Sequence, residues 1–350
     1  MILMKKLTLI SIVFVIAFQA CKENPKTKPE SINKIIEFLV ENKTFNGAAL
    51  VVDNVEVIYN KAFGNANMEW NIPNTPDTKF EIGSVTKQFT AMLIMQLVAD
   101  NKIITSDTIG KYLPEIFGKF GKITIHQLLT HTSGLPGHAT VLSDYLKIHL
   151  KVPYTFEERV EQIKNFDYEF TPDSSWSYNG FGYSILGEII VKITDKSLEE
   201  NYAEKIFNPL GMNNSGSYFN TKLVEKIAYG YQQNWENNFI PPVFFAKTNT
   251  TLGGGGLYST TEDLLKWHNA LQNNTLLPDE LMKIYFGHHF QFSDNDGYCY
   301  GNYYDSLKIN EKKSLGIYSH GGSLPGNSSL IFRVPESNQC IILLTNGGMG

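Results

Sequence analysis

This 350-residue sequence is poor in three features, and each scarcity argues against a class of protein. Its three cysteines are too few for a disulfide framework. The net charge of −5, from 30 Lys and Arg against 35 Asp and Glu, leaves no basic stripe for a nucleic acid backbone. No internal repeat is present, which excludes solenoids and propellers. The chain is long enough, and 42% hydrophobic, so a large globular core is expected.

Motifs for metals and nucleotides are also missing. No His-Glu-x-x-His occurs, and His138, His288 and His289 lack the spacing of a zinc site. The glycine run at residues 253–256 lacks the Lys-Ser/Thr ending of a phosphate loop, so we interpret it as a turn beside the functional site. No cofactor is predicted.

The N-terminus has the pattern of an export signal. Two lysines precede an apolar run, Leu7 to Phe18, which is too short for a comfortable membrane span. Residues 18–21 (Phe-Gln-Ala-Cys) resemble a relaxed bacterial lipobox, so we predict a signal peptide over 1–21, lipidation of Cys21 and anchoring to a membrane of the cell envelope. An ordinary cleavable signal, in which Cys21 is incidental, is the alternative. The polar residues 22–30 are predicted to be a tether. Whether Cys299 and Cys340 pair is left open.

The periodicity of apolar residues predicts an α/β domain over residues 31–350. The predicted elements are a helix capped by Ser31, a hairpin of strands 47–53 and 55–59, a helix over 84–101 buried on every side, a helix over 260–271, and strands over 328–334 and 340–345. The region of about 106–250 is helical and loop-rich. We therefore predict an antiparallel sheet built from both chain ends and flanked by helices, with an inserted helical subdomain.

Ser-x-x-Lys occurs twice, at Ser31 to Lys34 and at Ser84 to Lys87. Ser31 opens an amphipathic helix, where a capping role is ordinary. Ser84 opens the most apolar helix of the chain, and residues three apart share one helix face, so the Lys87 amine is predicted to reach the Ser84 hydroxyl. Burial there would lower the lysine pKa toward that of a useful base. We predict Ser84 as nucleophile and Lys87 as its base.

Several motifs around this pair resemble the class C β-lactamase and related esterase and peptidase family, from about Phe45 to Asn346. Besides Ser84 to Lys87 they are Leu128 to Pro136 (LLTHTSGLP), Pro209 to Met212 (PLGM), Gly255 to Thr260 (GGLYST) and His320 to Gly322 (HGG). The resemblance implies a cleft between sheet and helical subdomain. It also implies that Tyr178 takes part in proton transfer, while we assign Tyr183 to packing and His131 to organising its loop.

The sequence departs from this family at two places. The usual Tyr-x-Asn is Tyr178-Asn179-Gly180 here, so Asn179 is a candidate substitute for the asparagine that binds the substrate amide. Where true β-lactamases have Lys-Thr-Gly, this chain has His320-Gly321-Gly322. Histidine has an ordinary pKa near 6.5, so anion recognition is expected to be weak at neutral pH and to improve toward about pH 6.

The resemblance further implies that the backbone N–H groups of Ser84 and Ser323 form an oxyanion hole, with Gly321 and Gly322 leaving room for the substrate against the strand. The sequence thus predicts a serine hydrolase acting through an acyl-enzyme on a small-molecule or peptide substrate. An esterase or D-peptidase is preferred over an efficient β-lactamase. The alternative is a non-catalytic lipoprotein that keeps the fold as a ligand sensor or scaffold.

Overall fold

The computed structural model describes residues 27–114, 118–137, 155–218, 223–234, 236, 238–242, 252–310 and 313–347. The chain divides into two units, Met1–Phe45 and Asn46–Gly350, which are described separately. The predicted signal peptide, Cys21 and His138 lie outside the described residues. Within these ranges, no helix combines the length and apolar character needed to span a membrane.

In the first unit, helix α1 spans Lys28–Glu41. It begins three residues before the predicted start, because Thr27 is its N-cap and the Thr27 backbone N–H donates to Glu30 Oε2 at 3.2 Å. The prediction that Ser31 caps this helix is therefore wrong: Ser31 lies inside the first turns. Residues 28–30 are also helical, although they were expected to belong to the tether.

The second unit contains all described strands and the remaining described helices. Its strands are β1 (Gly47–Asp53), β2 (Glu56–Phe63), β3 (Asn65–Asn67), β4 (Ile72–Pro73), β5 (Phe80–Glu81), β6 (Gly216–Ser217), β7 (Gln232–Gln233), β8 (Phe239–Ile240), β9 (Leu257–Ser259), β10 (Phe290–Gln291), β11 (Asp296–Tyr298), β12 (Tyr303–Asn310), β13 (Lys313–Leu324), β14 (Asn327–Val334) and β15 (Gln339–Thr345). Its helices are α2 (Thr86–Ala99), α3 (Ile109–Tyr112), α4 (Ile125–Thr130), α5 (Phe156–Lys164), α6 (Gly180–Thr194), α7 (Leu198–Tyr202), α8 (Asn208–Leu210), α9 (Leu252–Gly255), α10 (Thr261–Gln272) and α11 (Asp279–Tyr285).

In the described part of the chain, eight strands form one sheet in the order β10-β11-β12-β13-β14-β15-β1-β2. Every pairing in it is antiparallel. Strand β1 lies between β2 and β15, with Gly47 opposite Thr345, so strands from both ends of this unit pair inside the sheet, one strand away from its β2 edge. The predicted antiparallel sheet flanked by helices is confirmed. The helical subdomain over about 106–250 stays a prediction.

Helix α10 lies against β1 and β15. Its N-cap is Thr260, as predicted, and the Thr260 side chain accepts the Asp263 backbone N–H. The buried face of this helix includes Trp267, which is fully inaccessible to solvent. Buried and partly exposed residues alternate along β14 and β15, as expected for strands with one face in the core.

Helix α2 is the central helix of the unit and packs against α6, α9 and α11. Nearly every residue from Thr86 to Leu97 is buried, which confirms the predicted all-round burial. A 3-10 turn, Gly83–Val85, leads into it and lies against β13 and β14. The Ser329 hydroxyl of β14 donates to Ile82 O at 2.6 Å. This contact holds Ser84 beside the sheet.

Candidate active site

Ser84 and Lys87 are in direct contact at the start of α2. Lys87 Nζ lies 3.1 Å from Ser84 Oγ, and the lysine is 1% exposed whereas Ser84 is partly exposed. The structure therefore brings together the two residues predicted as nucleophile and base. Ser84 is reachable from solvent, while its partner amine is not.

The burial of Lys87 gives it the properties of a base. Desolvation lowers the pKa of Lys87 from 10.5 to about 7. Its Nζ also donates to Gly254 O at 2.6 Å. When Lys87 is neutral, one of its N–H groups can still donate to the Gly254 carbonyl, and the lone pair of its nitrogen can accept the Ser84 proton. The glycine run lies beside the site as predicted, but it contributes to the short helix α9 rather than a plain turn.

Tyr178 is close to the same amine. Lys87 Nζ lies 4.9 Å from the centre of the Tyr178 ring, a cation–π distance. The Tyr178 hydroxyl is buried and makes no well-formed hydrogen bond among the described residues. Burial raises the pKa of Tyr178 well above its ordinary value, and the nearby Ser84 side chain acts in the opposite direction. Tyr178 is thus a neutral phenol, which can donate a hydrogen bond but gives up a proton only if it receives another at the same time.

The Gly83 backbone and the end of β13 approach each other closely. A Cβ added to Gly83 would lie 3.0 Å from Ser323 N, and one added to Gly322 would lie 1.9 Å from Ile82 O. The Gly322 position therefore excludes any side chain. This close packing puts the Ser323 backbone next to the Ser84 turn. The predicted oxyanion hole of the Ser84 and Ser323 N–H groups stays a prediction.

His320 differs from the sequence-based expectation. It is 2% exposed, its Nδ1 lies 2.7 Å from Gly321 O, and its Nε2 lies 3.4 Å from the Tyr298 hydroxyl. Burial, together with the Lys87 charge, lowers the pKa of His320 to about 3. The expectation that His320 gains charge toward about pH 6 was therefore wrong, because it assumed a solvated imidazole.

Asn179 caps a helix in the candidate site. It is the N-cap of α6, and its Oδ1 accepts the backbone N–H groups of Phe181 and Gly182 at 3.0 and 3.2 Å. Its Nδ2 donates to Leu135 O at 2.9 Å. Both ends of the amide are occupied, so the proposed substrate contact competes with a cap. That contact stays a prediction.

His131 connects several parts of the site. It ends α4 in the left-handed conformation, with φ of 62°. Its Nδ1 accepts the Asn179 backbone N–H at 3.1 Å, and its ring centre lies 4.5 Å from that of Tyr178. Burial and the Lys87 charge hold the pKa of His131 well below 6.5. These contacts agree with a loop-organising role. Tyr183, assigned to packing, is fully buried and donates to Leu129 O.

Sequence reasoning missed two participants. The Gly254 carbonyl contacts Lys87 directly, but a backbone acceptor has no residue-type signature beyond the glycine run itself. Tyr298 lies between His131 and His320, and as one of eighteen tyrosines it had no distinguishing pattern. Cys299 and Cys340, left open above, are both free and buried.

The geometry agrees with a comparison to protein families. The model of the Beta-lactamase family matches residues 32–349. The chain belongs to this family. The resemblance drawn from the sequence motifs is therefore confirmed, and the active-site positions occur within the matched residues.

Relatives within the family include enzymes that act on D-amino-acid compounds. The teichoic acid D-alanine hydrolase of Staphylococcus aureus (strain MRSA252) is 29% identical over 283 residues, 81% of this chain and 68% of that protein. Among solved structures, the penicillin binding protein from Bacillus halodurans is similar at a TM-score of 0.79 and 26% identity, covering 90% of this chain and 96% of that one. The octameric penicillin-binding protein homologue from Pyrococcus abyssi is 28% identical, with a TM-score of 0.75 over 91% of this chain and 74% of that one.

Proposed function

We propose that this protein is a serine hydrolase that forms an acyl-enzyme on Ser84 and cleaves short acyl esters or D-amino-acid esters and amides. The observation that carries the proposal is the contact of Ser84 Oγ with the amine of a wholly buried lysine. A serine hydroxyl is a poor nucleophile unless an adjacent base removes its proton. A Lys87 pKa of about 7 leaves a large neutral fraction at neutral pH.

The proposed reaction has two halves. Ser84 Oγ attacks the carbonyl carbon while neutral Lys87 takes the hydroxyl proton, and the N–H groups of Ser84 and Ser323 stabilise the oxyanion. The resulting Lys87 ammonium protonates the leaving group through Tyr178, which passes its own proton on and takes one from Lys87, so that both groups end neutral. Water then attacks the acyl-enzyme with Lys87 again as base, and Ser84 is released.

The preference for esters over β-lactams follows from charge. A β-lactam carries a carboxylate, and on β13 the position expected to bind it is the neutral His320. The surroundings of Tyr178 are aromatic: Trp176 lies 6.3 Å from the Tyr178 ring centre, and Tyr303 lies 5.4 Å from that of His320. Such a wall disfavours carboxylates, while it can accept neutral acyl groups and, by cation–π contact, ammonium-bearing ones such as D-alanyl. The name of the Staphylococcus aureus relative supports including D-alanyl esters among the candidate substrates.

The deciding experiment is a hydrolysis screen across p-nitrophenyl esters of short acids, a D-alanyl ester, a D-amino-acid amide and a cephalosporin, with mass spectrometry of the quenched enzyme. We expect the esters to turn over fastest and an acyl adduct to appear on the peptide that contains Ser84. Absence of any turnover and any adduct would instead favour the non-catalytic sensor or scaffold.

We also propose that Cys21 anchors the protein in the cell envelope through lipid. The support is the sequence alone: a lysine-led apolar run that ends at a cysteine. Because acyl chains supply the anchoring, Cys21→Ser is expected to release a folded protein from the membrane fraction. Retention of the variant in the membrane after a high-salt wash would contradict the proposal.

A further inference from the structure

Tyr298 joins two histidines across the site. It ends β11, is fully buried, and its hydroxyl lies 3.1 Å from His131 Nε2 and 3.4 Å from His320 Nε2. The hydroxyl thus connects the loop after α4 with β13. Neither the sequence motifs nor the acyl-transfer steps above assign this residue a role.

The other hydrogen-bond partner of each imidazole fixes which of its ring nitrogens carries the proton. His131 Nδ1 accepts the Asn179 backbone N–H, so a neutral His131 carries its proton on Nε2 and donates to Tyr298. His320 Nδ1 faces the Gly321 carbonyl, which only accepts, so Nδ1 carries the proton and Nε2 is the acceptor. The Tyr298 hydroxyl therefore accepts from His131 and can donate to His320 Nε2 or to the neighbouring Tyr183 hydroxyl. His131, Tyr298 and His320 form one hydrogen-bonded chain.

The surroundings keep this hydrogen-bonded chain of two imidazoles and a phenol uncharged. Burial is the main cause of the low pKa of both histidines, and the Lys87 charge acts in the same direction. Burial also raises the pKa of Tyr298 well above 10, and neighbouring Tyr183, whose hydroxyl donates to Leu129 O, adds to this effect. Each member of the chain is neutral at physiological pH.

The two histidines at the ends of this hydrogen-bonded chain contact the two backbone segments whose relative position matters for the site. At one end His131 holds the Asn179 N–H, directly after Tyr178. At the other end His320 holds the Gly321 carbonyl, two residues before Ser323. Reactive groups displaced by a fraction of an ångström lose much of their rate advantage, so a connection between these two segments has kinetic weight.

We propose that Tyr298 is a positioning residue that bridges His131 and His320, two neutral imidazoles of opposite tautomer, and thereby holds Tyr178 and the end of β13 in place around Ser84. This inference rests on the proposed acyl transfer for its kinetic consequence. The tautomers themselves do not depend on any activity.

The test is Tyr298→Phe, with Tyr300→Phe as matched control. Tyr300 is 1% exposed, and its hydroxyl lies 2.7 Å from His126 Nδ1, so the control removes a comparable buried tyrosine–histidine bond away from Ser84. We expect kcat for the preferred ester to fall by about 10- to 100-fold in Tyr298→Phe with KM nearly unchanged. Tyr300→Phe is expected to keep the wild-type kcat. Equal losses of kcat in both variants would overturn the proposal.

The second readout is the imidazole nitrogen spectrum of histidine-labelled protein at neutral pH. We expect one histidine protonated on Nδ1, lost in His320→Gln and shifted in Tyr298→Phe but not in Tyr300→Phe. If Tyr298→Phe does not fold, the wild-type and His320→Gln spectra still decide the tautomer. A His320 protonated on Nε2 would overturn the proposal. A missing Ser84 adduct, by contrast, would overturn the proposed function and leave this spectrum as expected.

Discussion

The same four-residue motif occurs in two surroundings in this chain. On α1, Ser31 lies within the helix and Lys34 is exposed. At the start of α2, Ser84 and Lys87 have the same spacing, but Lys87 is buried and its pKa is lowered to about 7. The spacing alone brings the side chains onto one helix face. Desolvation, which only the second site supplies, turns a lysine into a base.

The largest difference between the two motifs is expected in catalysis. Ser84→Ala should lower kcat for the preferred ester by about ten-thousand-fold or more, because it removes the hydroxyl that contacts the buried amine of Lys87. It should also abolish covalent labelling by a fluorophosphonate. Ser31→Ala should change neither quantity. Labelling that persists in Ser84→Ala would remove the distinction between the two motifs.

The next effect concerns stability and pH. The folded state holds Lys87 at a pKa of about 7 against an ordinary 10.5, so the unfolded state binds more protons between these values. The unfolding free energy of the wild type should therefore rise with pH in this window, by up to about 5 kcal/mol relative to Lys87→Met. Denaturant unfolding at several pH values measures it. Lys34→Met is the control, and its profile should run parallel to that of the wild type.

A smaller effect is expected at the cap that the sequence did not reveal. Asn179→Ala removes four buried hydrogen bonds of its side chain and leaves the first N–H groups of α6 without an acceptor. We expect a loss of about 1–3 kcal/mol in unfolding free energy. The exposed Asn165→Ala is the reference substitution. A stable Asn179→Ala with raised KM would instead show that Asn179 serves substrate binding.

The smallest expected effect is on substrate selection by pH. Because the pKa of His320 is about 3, acidification to about pH 6 should leave the ratio of kcat/KM for a cephalosporin to that for a neutral ester unchanged. Titration of Lys87 affects both substrates and cancels in the ratio. His320→Lys should raise the ratio, since it adds the charge that acidification cannot. A ratio that rises on acidification in the wild type would show a solvated His320.

Local patterns predicted much of this structure. Alternation and turn residues indicated β1, β14 and β15, and uniform apolarity indicated that α2 is central. The contact of Ser84 with a buried Lys87 followed from the same apolarity. These predictions succeeded because they depend on neighbours along the chain.

Properties set by distant neighbours were not accessible from the sequence. The Gly254 carbonyl reaches Lys87 from 167 positions away, and the pKa of His320 depends on burial and on Lys87. The N-cap role of Asn179 can be inferred only when the start of α6 is known. The family motif pointed instead to substrate binding by the Asn179 amide. Tertiary packing decides each of these properties.

The pairing of β1 with β15 also has a consequence for how the protein folds during its synthesis. Strand β1 obtains its neighbour on one side only after residues 339–345 exist, almost three hundred positions later. Closing so long a loop is slow compared with forming helices or the β1–β2 hairpin. A nascent chain that has already made Ser84 and Lys87 therefore still lacks β15, the sheet neighbour of β1. Until residues 339–345 have been made, the turn that carries Ser84 lacks its completed sheet, and the apolar segments of the chain are exposed to aggregation.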